Sequence, residues 1–363
     1  MPVSGYDAGN PSFSTVDIGD VPERVAGFNR LFRGGVVTLS GKVVFVPHNA
    51  GDSVGIFDPT TNDFWTVDLS VSVTGGFNGG VLLPSGKVVF VPGDSLCLGI
   101  FNPATNDFST VSVTDGFKEG VLLPSGKVVF GPGSSVKVGI FEPAANNFST
   151  VDISASVTGG FSGCVLLPSG KVVFVPASGA DRVVGIFDPA THDFSTVNIP
   201  ATISVGYNGG VLIPSGKVVF VPREADDVVV FDPVTNDFLA VDISSVSVSQ
   251  VMKTYTNSNK FICGVLLPSG KVAFVPHWAD SVGIFDPATS AFSVVELPSS
   301  IANENDGKYY GGVVTPSGKV VFVPFAAGVV TVFDPGNAAP AYTVSGGVPD
   351  SWRPLLSPHF NKY

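Results

Sequence analysis

The chain has 363 residues, of which 44% are hydrophobic and only 13% charged, and its formal net charge is −11. That charge argues against a nucleic-acid partner or an acidic membrane surface, since each selects a basic face. Cys97, Cys164 and Cys263 are too few for a disulfide framework and point to a reducing compartment.

The N-terminal stretch Met1-Pro-Val-Ser-Gly-Tyr6 lacks the basic-then-apolar order of a secretory signal. No apolar run approaches the roughly 18 residues of a membrane span. The expectation is a soluble, cytoplasmic protein. Next comes Ser12-Phe-Ser-Thr-Val-Asp-Ile18, which reads as a lone strand with no partner strands before it.

From about residue 30 the chain becomes periodic. Val81-Leu-Leu-Pro-Ser-Gly-Lys-Val-Val-Phe-Val-Pro92 has close copies with their Ser-Gly-Lys glycines at Gly41, Gly86, Gly126, Gly170, Gly216, Gly270 and Gly318, 40 to 54 residues apart. A near-constant period of that size marks an array of like units. Within a unit, apolar runs of about five residues are bounded by Gly or Pro, which predicts strands rather than helices. The second unit predicts strands over 79–83, 87–91, 98–101 and 108–113. Pro84-Ser-Gly86 suits a tight hairpin with glycine in the left-handed position. Asn102-Pro-Ala-Thr-Asn-Asp107 and its copies suit a second turn, in which Asp or Asn bonds the downstream backbone and Pro sets φ.

A four-stranded antiparallel unit present seven times predicts an all-β, seven-bladed β-propeller forming one domain over 1–363. Closure into a ring protects the end sheets that a linear stack would expose. The blades fall at about 30–69, 75–113, 115–153, 159–199, 205–243, 259–297 and 308–345, with 346–363 as a tail. Residues 12–18 are expected to close the last blade, in competition with Ala341-Tyr-Thr-Val344.

The segment Ile56-Phe-Asp-Pro-Thr-Thr-Asn-Asp-Phe64, after Gly41-Lys-Val-Val-Phe45, resembles the repeat of the kelch propellers, with Phe57 and Phe64 at its aromatic positions. The resemblance spans roughly 30–335. It departs from kelch where Val46-Pro47 and Val91-Pro92 stand in place of the double glycine. It implies a propeller and assigns no catalytic residue, because propellers host binding and enzymatic functions alike.

The two turns above share one face of such a ring and hardly vary between copies. The opposite face holds the second-to-third-strand loops and the links between blades, which do vary, and varied loops on a rigid scaffold are where sites reside. An aromatic opens each innermost strand: Phe32, Phe77, Phe117, Phe161, Tyr207, Phe261 and Tyr309. These suit packing between blades. The following position alternates to the other side and should ring the channel mouth: Arg33, Asn78, Lys118, Ser162, Asn208, Ile262 and Tyr310, with Lys260 and Lys308 nearby. The loops add His48, Asn49, Asp94, Asp181, Arg182, Arg223, Glu224, His277, Trp278 and Phe325.

From these, the candidate ligand-binding set is Arg33, His48, Asn78, Lys118, Asn208, Arg223, Glu224, His277, Trp278 and Tyr310. No catalytic set, metal site or cofactor is expected. His48 and His277 belong to blades 1 and 6, with blade 7 between them, which argues against their sharing a metal. Gly51-Asp-Ser-Val-Gly55 and Gly93-Asp-Ser-Leu96 imitate hydrolase motifs, but a strand follows where a helix is required. Asp52, Asp181, Asp227 and Asp280 read as turn formers. Three functions stay open. One is a non-enzymatic binding or scaffolding propeller that takes a protein segment or small polar ligand on the variable face. The second is a lyase or hydrolase using His48, His277 and Glu224. The third is an assembly subunit whose seven turn lysines meet an acidic partner.

Overall fold

The computed structural model describes residues 10–19, 30–48, 53–69, 73–133, 135–177, 181–246, 259–302 and 307–336. They form seven four-stranded antiparallel sheets, with the innermost strands of neighbouring sheets packed side by side around a centre. This is a seven-bladed propeller. Blade 1 runs Phe32–Val37, Val43–Pro47, Ser53–Asp58, Asp63–Asp68 from the centre outward, and blades 2 to 6 repeat that order.

Burial grades from the centre outward and explains the sequence pattern. Every second strand is a Val-Val-Phe-Val-Pro-like run buried at all five positions, because neighbouring sheets cover both of its faces. The outermost strands are mostly exposed: in Asn147–Asp152 only Phe148 and Val151 are covered, on opposite faces, Phe148 by the cluster of blades 2 and 3 and Val151 by that of blades 3 and 4, while Ser149 and Thr150 face solvent. Stacked aromatics run through each blade, such as Phe45 against Phe32, Phe57 and Phe64 at centroid distances of 5.7, 6.4 and 6.0 Å. Each apolar cluster spans two blades. Phe32, Phe45 and Phe57, for example, pack with Val313, Val321 and Val323 of blade 7.

Both recurrent turns form for the predicted reasons. In blade 2, Gly86 takes φ 82° and donates to Leu83 O, while Leu83 N donates to Lys87 O, the bonding of a bulged hairpin. In the outer turn of blade 1, Asp58 Oδ1 accepts from Thr60 N and Asn62 sits at φ 61°.

The ring is closed by the N-terminal strand. Ser12–Asp17 pairs with Val329–Asp334 from Ser12↔Asp334 to Asp17↔Val329, so blade 7 holds three strands from the end of the chain and one from its start. Phe13 lies on Phe333 at 5.1 Å, the place taken in blade 1 by Phe64 on Phe57. The competing segment 341–344 and the tail 346–363 lie outside the described residues.

Every innermost strand is irregular at the same point, where pairing shifts just after the opening aromatic. In blade 1 the shift lies between Phe32 and Gly35, with Gly34 at φ 82°. Glycine is needed there, since a Cβ on Gly34 would come 2.9 Å from Gly79 Cα of the next blade. The bulge lets the inner strands converge and re-aims the residue beside it.

Candidate functional site

The re-aimed residues are those read above as a ring. Asn78, Lys118, Ser162, Asn208, Ile262 and Tyr310 line a central cavity of about 40 Å³. That is room for about three waters, at roughly 10–15 Å³ each, and not for a substrate inside the ring. The ring is knitted together by hydrogen bonds between blades. Arg33 Nη1 donates to Asn78 Oδ1 at 2.6 Å, and Asn78 Nδ2 donates onward to Phe117 O at 2.7 Å. Asn208 Nδ2 donates to Ile262 O at 2.7 Å, and Ser162 Oγ accepts from Gly209 N at 3.3 Å. Asn208 and Ser162 are therefore buried structural ties. Arg33, Asn78, Lys118 and Tyr310 keep exposed surface.

Two residues of the cavity escaped the sequence reading. The position after the ring residue is glycine in five blades (Gly34, Gly79, Gly163, Gly209, Gly311) but Glu119 in blade 3 and Cys263 in blade 6. The exceptions were the signal. Glu119 is buried and crosses towards blades 4 and 5: its Oε2 accepts from Cys164 N at 2.9 Å, and a Cβ on Gly209 would stand 2.9 Å from its Oε1. Burial, reinforced by the Glu119 carboxylate, pushes the Cys263 thiol well above its ordinary pKa.

The loop residues converge over blades 6, 7 and 1. His277 stacks on Trp278 at 5.9 Å, meets Tyr310 edge-on at 5.8 Å and lies 5.7 Å from Phe325. His48 approaches the same Phe325 at 5.9 Å, so that ring stands beside both imidazoles. The Arg33 guanidinium lies 4.1 Å above the Tyr310 ring, and Arg30 sits 5.8 Å from Phe325. The result is an aromatic patch edged by two arginines.

Both histidines are held neutral. His277 Nδ1 contacts Tyr309 O at 2.8 Å and His48 Nδ1 contacts Phe77 O at 3.2 Å. Burial, with Arg33 adding to it in each case, lowers both imidazoles to about 4. In the neutral ring, the Nδ1 proton donates to the carbonyl. Further round, Arg223 pairs with Glu224 at 3.3 Å and donates to Asn259 Oδ1 at 2.7 Å. Lys260 and Lys308 are both buried, facing Asp226 at 2.7 Å and Asp280 at 3.9 Å, so they brace loops. Asp181 and Asp227 do more than form turns. Asp181 accepts from Thr158 N and Gly159 N, and Asp227 accepts from Ser204 N, each fixing the link that enters its own blade. Asn49 and Asp52 lie outside the described residues. No group of three or more His, Cys, Asp and Glu among the described residues is placed to hold a metal ion.

On the opposite face, six turn lysines pair with the acid ending the third strand of their own blade, from 3.1 Å (Lys217–Asp232) to 3.8 Å (Lys171–Asp188). Lys87 is the exception, because Asn102 occupies that place. Arg30, Arg33 and Lys118 on the variable face have no carboxylate partner among the described residues.

No protein-family model and no curated protein sequence matches the chain. Solved structures do. A catalytically inactive variant of virginiamycin B lyase from Staphylococcus aureus with quinupristin superposes with a TM-score of 0.72 at 11% identity, over 89% of this chain and 99% of that one. A streptogramin B lyase gives 0.68 at 13%, over 90% and 98%. The WD40 propeller domain of Doa1 gives 0.65 at 12%, over 90% and 97%. At such identities the likeness is one of fold, shared by lyases and a WD40 domain alike: the chain is a seven-bladed β-propeller.

Proposed function

We propose that this protein is a non-enzymatic binding propeller that recognises a polar ligand or protein segment on its variable face, over blades 6, 7, 1 and their neighbours 2 and 3. One observation supports this most: the partly exposed Arg33 guanidinium lies on Tyr310 and is locked by Asn78, with Trp278 joined to the same patch through His277. A planar cation preorganised on aromatic rings loses little freedom when it binds, which is the character of binding hot spots.

Catalysis is the weaker reading. Each imidazole is buried with Nδ1 committed to a carbonyl, and Glu224 is paired with Arg223. The lyase neighbours share the fold at identities too low to transfer an activity. The assembly reading is weakened because six of the seven turn lysines have a carboxylate of their own. Kelch-like descent of the repeat and a cytoplasmic, reducing setting remain part of this proposal, the latter supported by three free cysteines.

The test is a ligand and partner screen with the wild type, with an Arg33→Glu, Lys118→Glu, Trp278→Ala variant, and with Lys87→Glu as a control on the turn face. Partners should be lost with the triple variant and kept with the control. A partner set unchanged by the triple variant would sink the proposal.

A further inference from the structure

We infer that the variable face binds an organic carboxylate set next to an aromatic ring, with Arg33 and Lys118 receiving the acid and Tyr310 and Trp278 the ring. This rests on the binding reading above and specifies its ligand.

Charge balance is the first argument. In a chain of net charge −11, cations are the scarce species, and most described ones are matched to a carboxylate. Five have no carboxylate among the described residues: Lys87 lies on the turn face, Arg182 donates to Pro200 O and Ile203 O, and Arg30, Arg33 and Lys118 lie on the variable face with exposed surface. Unmatched cations gathered on one face of an acidic protein attract and orient an anion.

Hydrogen-bonding capacity is the second. Arg33 Nε and Trp278 Nε1 are buried N–H groups without an acceptor. The patch therefore has donors in surplus. One edge of the Arg33 guanidinium is committed, through Nη1 to Asn78, and the planar fork still has donors for a carboxylate. Asn78 of blade 2 lies between Arg33 of blade 1 and Lys118 of blade 3, and its amide is fixed by Phe117 O, the residue before Lys118. An acid seated over Asn78 is thus flanked by two cations.

The third argument separates a ring-bearing acid from an inorganic anion. Tyr310 and Trp278 are partly exposed above the buried His277 and Phe325. Aromatic faces beside the acid site favour a ligand that continues into a ring. Glu119 lines the same cavity as Lys118, and its carboxylate disfavours a multiply charged ligand such as a polyphosphate. A single carboxylate with an aromatic neighbour suits the whole arrangement.

The ring-bearing acid could be a free small molecule or the C-terminus of a peptide, and the experiment separates them. N-acetylphenylalanine, its amide, acetate, and a peptide ending in Phe with a free or amidated terminus are titrated into the protein by calorimetry. The acid should bind with a Kd of about 1 mM or below, at least about tenfold more tightly than the amide or acetate. A free-terminus peptide that binds more tightly than the small acid identifies a chain end as the source. A small acid that binds as well as the peptide identifies a free metabolite-like ligand. Arg33→Gln with Lys118→Gln should bring the acid down to the affinity of the amide. Tyr310→Ala should abolish the preference over acetate, while Lys87→Gln should change nothing. Arg33→Lys keeps the charge without the fork and should fall between. Thermal unfolding at the wild-type temperature certifies each variant as folded. The inference is overturned if the amide binds as well as the acid, if the double Gln variant keeps the preference, or if no probe saturates. The binding reading is judged separately, since the screen described above can succeed with an uncharged partner.

Discussion

Acidification should weaken the fold through His277. The residue is 6% exposed, and burial first, then Arg223, Arg33 and Lys308, lower its pKa from 6.5 to about 4 against the opposing bond to Tyr309 O. Between pH 6.5 and about 4 the unfolded chain accepts a proton that the folded chain refuses. Stability therefore falls as the pH drops through that window and levels off below it. A gap of that width amounts to about 3 kcal/mol at full extent. The assay is urea unfolding at about pH 7.5 and pH 4.5 for the wild type and for His277→Asn, whose amide can still donate to Tyr309 O but does not titrate near these values. Carboxylates held low by hydrogen bonds, such as Asp58 by Thr60 and Asp232 by Val234, also lose stability on acidification, but equally in both proteins. The wild type should lose about 2–3 kcal/mol more than the variant. Parallel losses would refute the argument, because they would mean that the buried imidazole takes up its proton as readily as an unfolded one.

Gly163→Ala should cost about 2–4 kcal/mol, since the new methyl would stand 2.2 Å from Glu119 Oε2 and 2.6 Å from Gly209 Cα. Combined with Glu119→Ala the two losses should fall short of additive by about 1 kcal/mol or more, and strict additivity in unfolding would deny the contact. Ser290→Asn should stabilise by about 0.5–1 kcal/mol, because φ at that turn position is 56° and Asn fills it in blades 1, 2, 3 and 5; an unchanged melting curve would count against it. Phe13→Ala should cost about 2 kcal/mol by stripping the ring that packs on Phe333, and a neutral result would argue against closure by the N-terminal strand. In native protein a disulfide reagent should label Cys263 only on unfolding, since burial raises its pKa and encloses its sulfur; rapid native labelling would contradict this.

The fold was legible because every blade repeats the same physics. Gly86 and its copies mark the hairpins, Val88–Pro92 marks a strand buried on both faces, and the polar Asp107–Ser112 marks an outer strand covered only at Phe108 and Val111. Strand limits read from pattern fell one or two residues away from those observed, as at Phe77–Leu82 against the predicted 79–83, because the bulge places glycines inside the strand. The site was only half legible. The ring position was found by alternation, yet alternation says nothing about reach. It could not show that Asn78 would tie Arg33 to Phe117, or that Lys260 would be consumed by Asp226. Glu119 does not stand out among the varied ring residues; its signal is that it and Cys263 break an otherwise constant glycine at the next position.

The contrast between the two faces has a physical basis. On the turn face each blade solves its own electrostatics, as when Lys217 meets Asp232 within one hairpin pair. Such exposed pairs contribute little, about 0–1 kcal/mol each, so they can recur without constraining a neighbour. On the loop face the polar groups reach across blades: Arg33 to Asn78, Asn78 to Phe117, Asn208 to Ile262, Lys308 towards Asp280. A group that depends on the next blade cannot be copied seven times unless its partner is copied as well, and a ring in which all seven agreed would be uniform and unselective. The copies diverge at the loop end because contacts there are made between non-identical neighbours. That same requirement places Arg33, Tyr310 and Trp278 where one ligand can touch several blades.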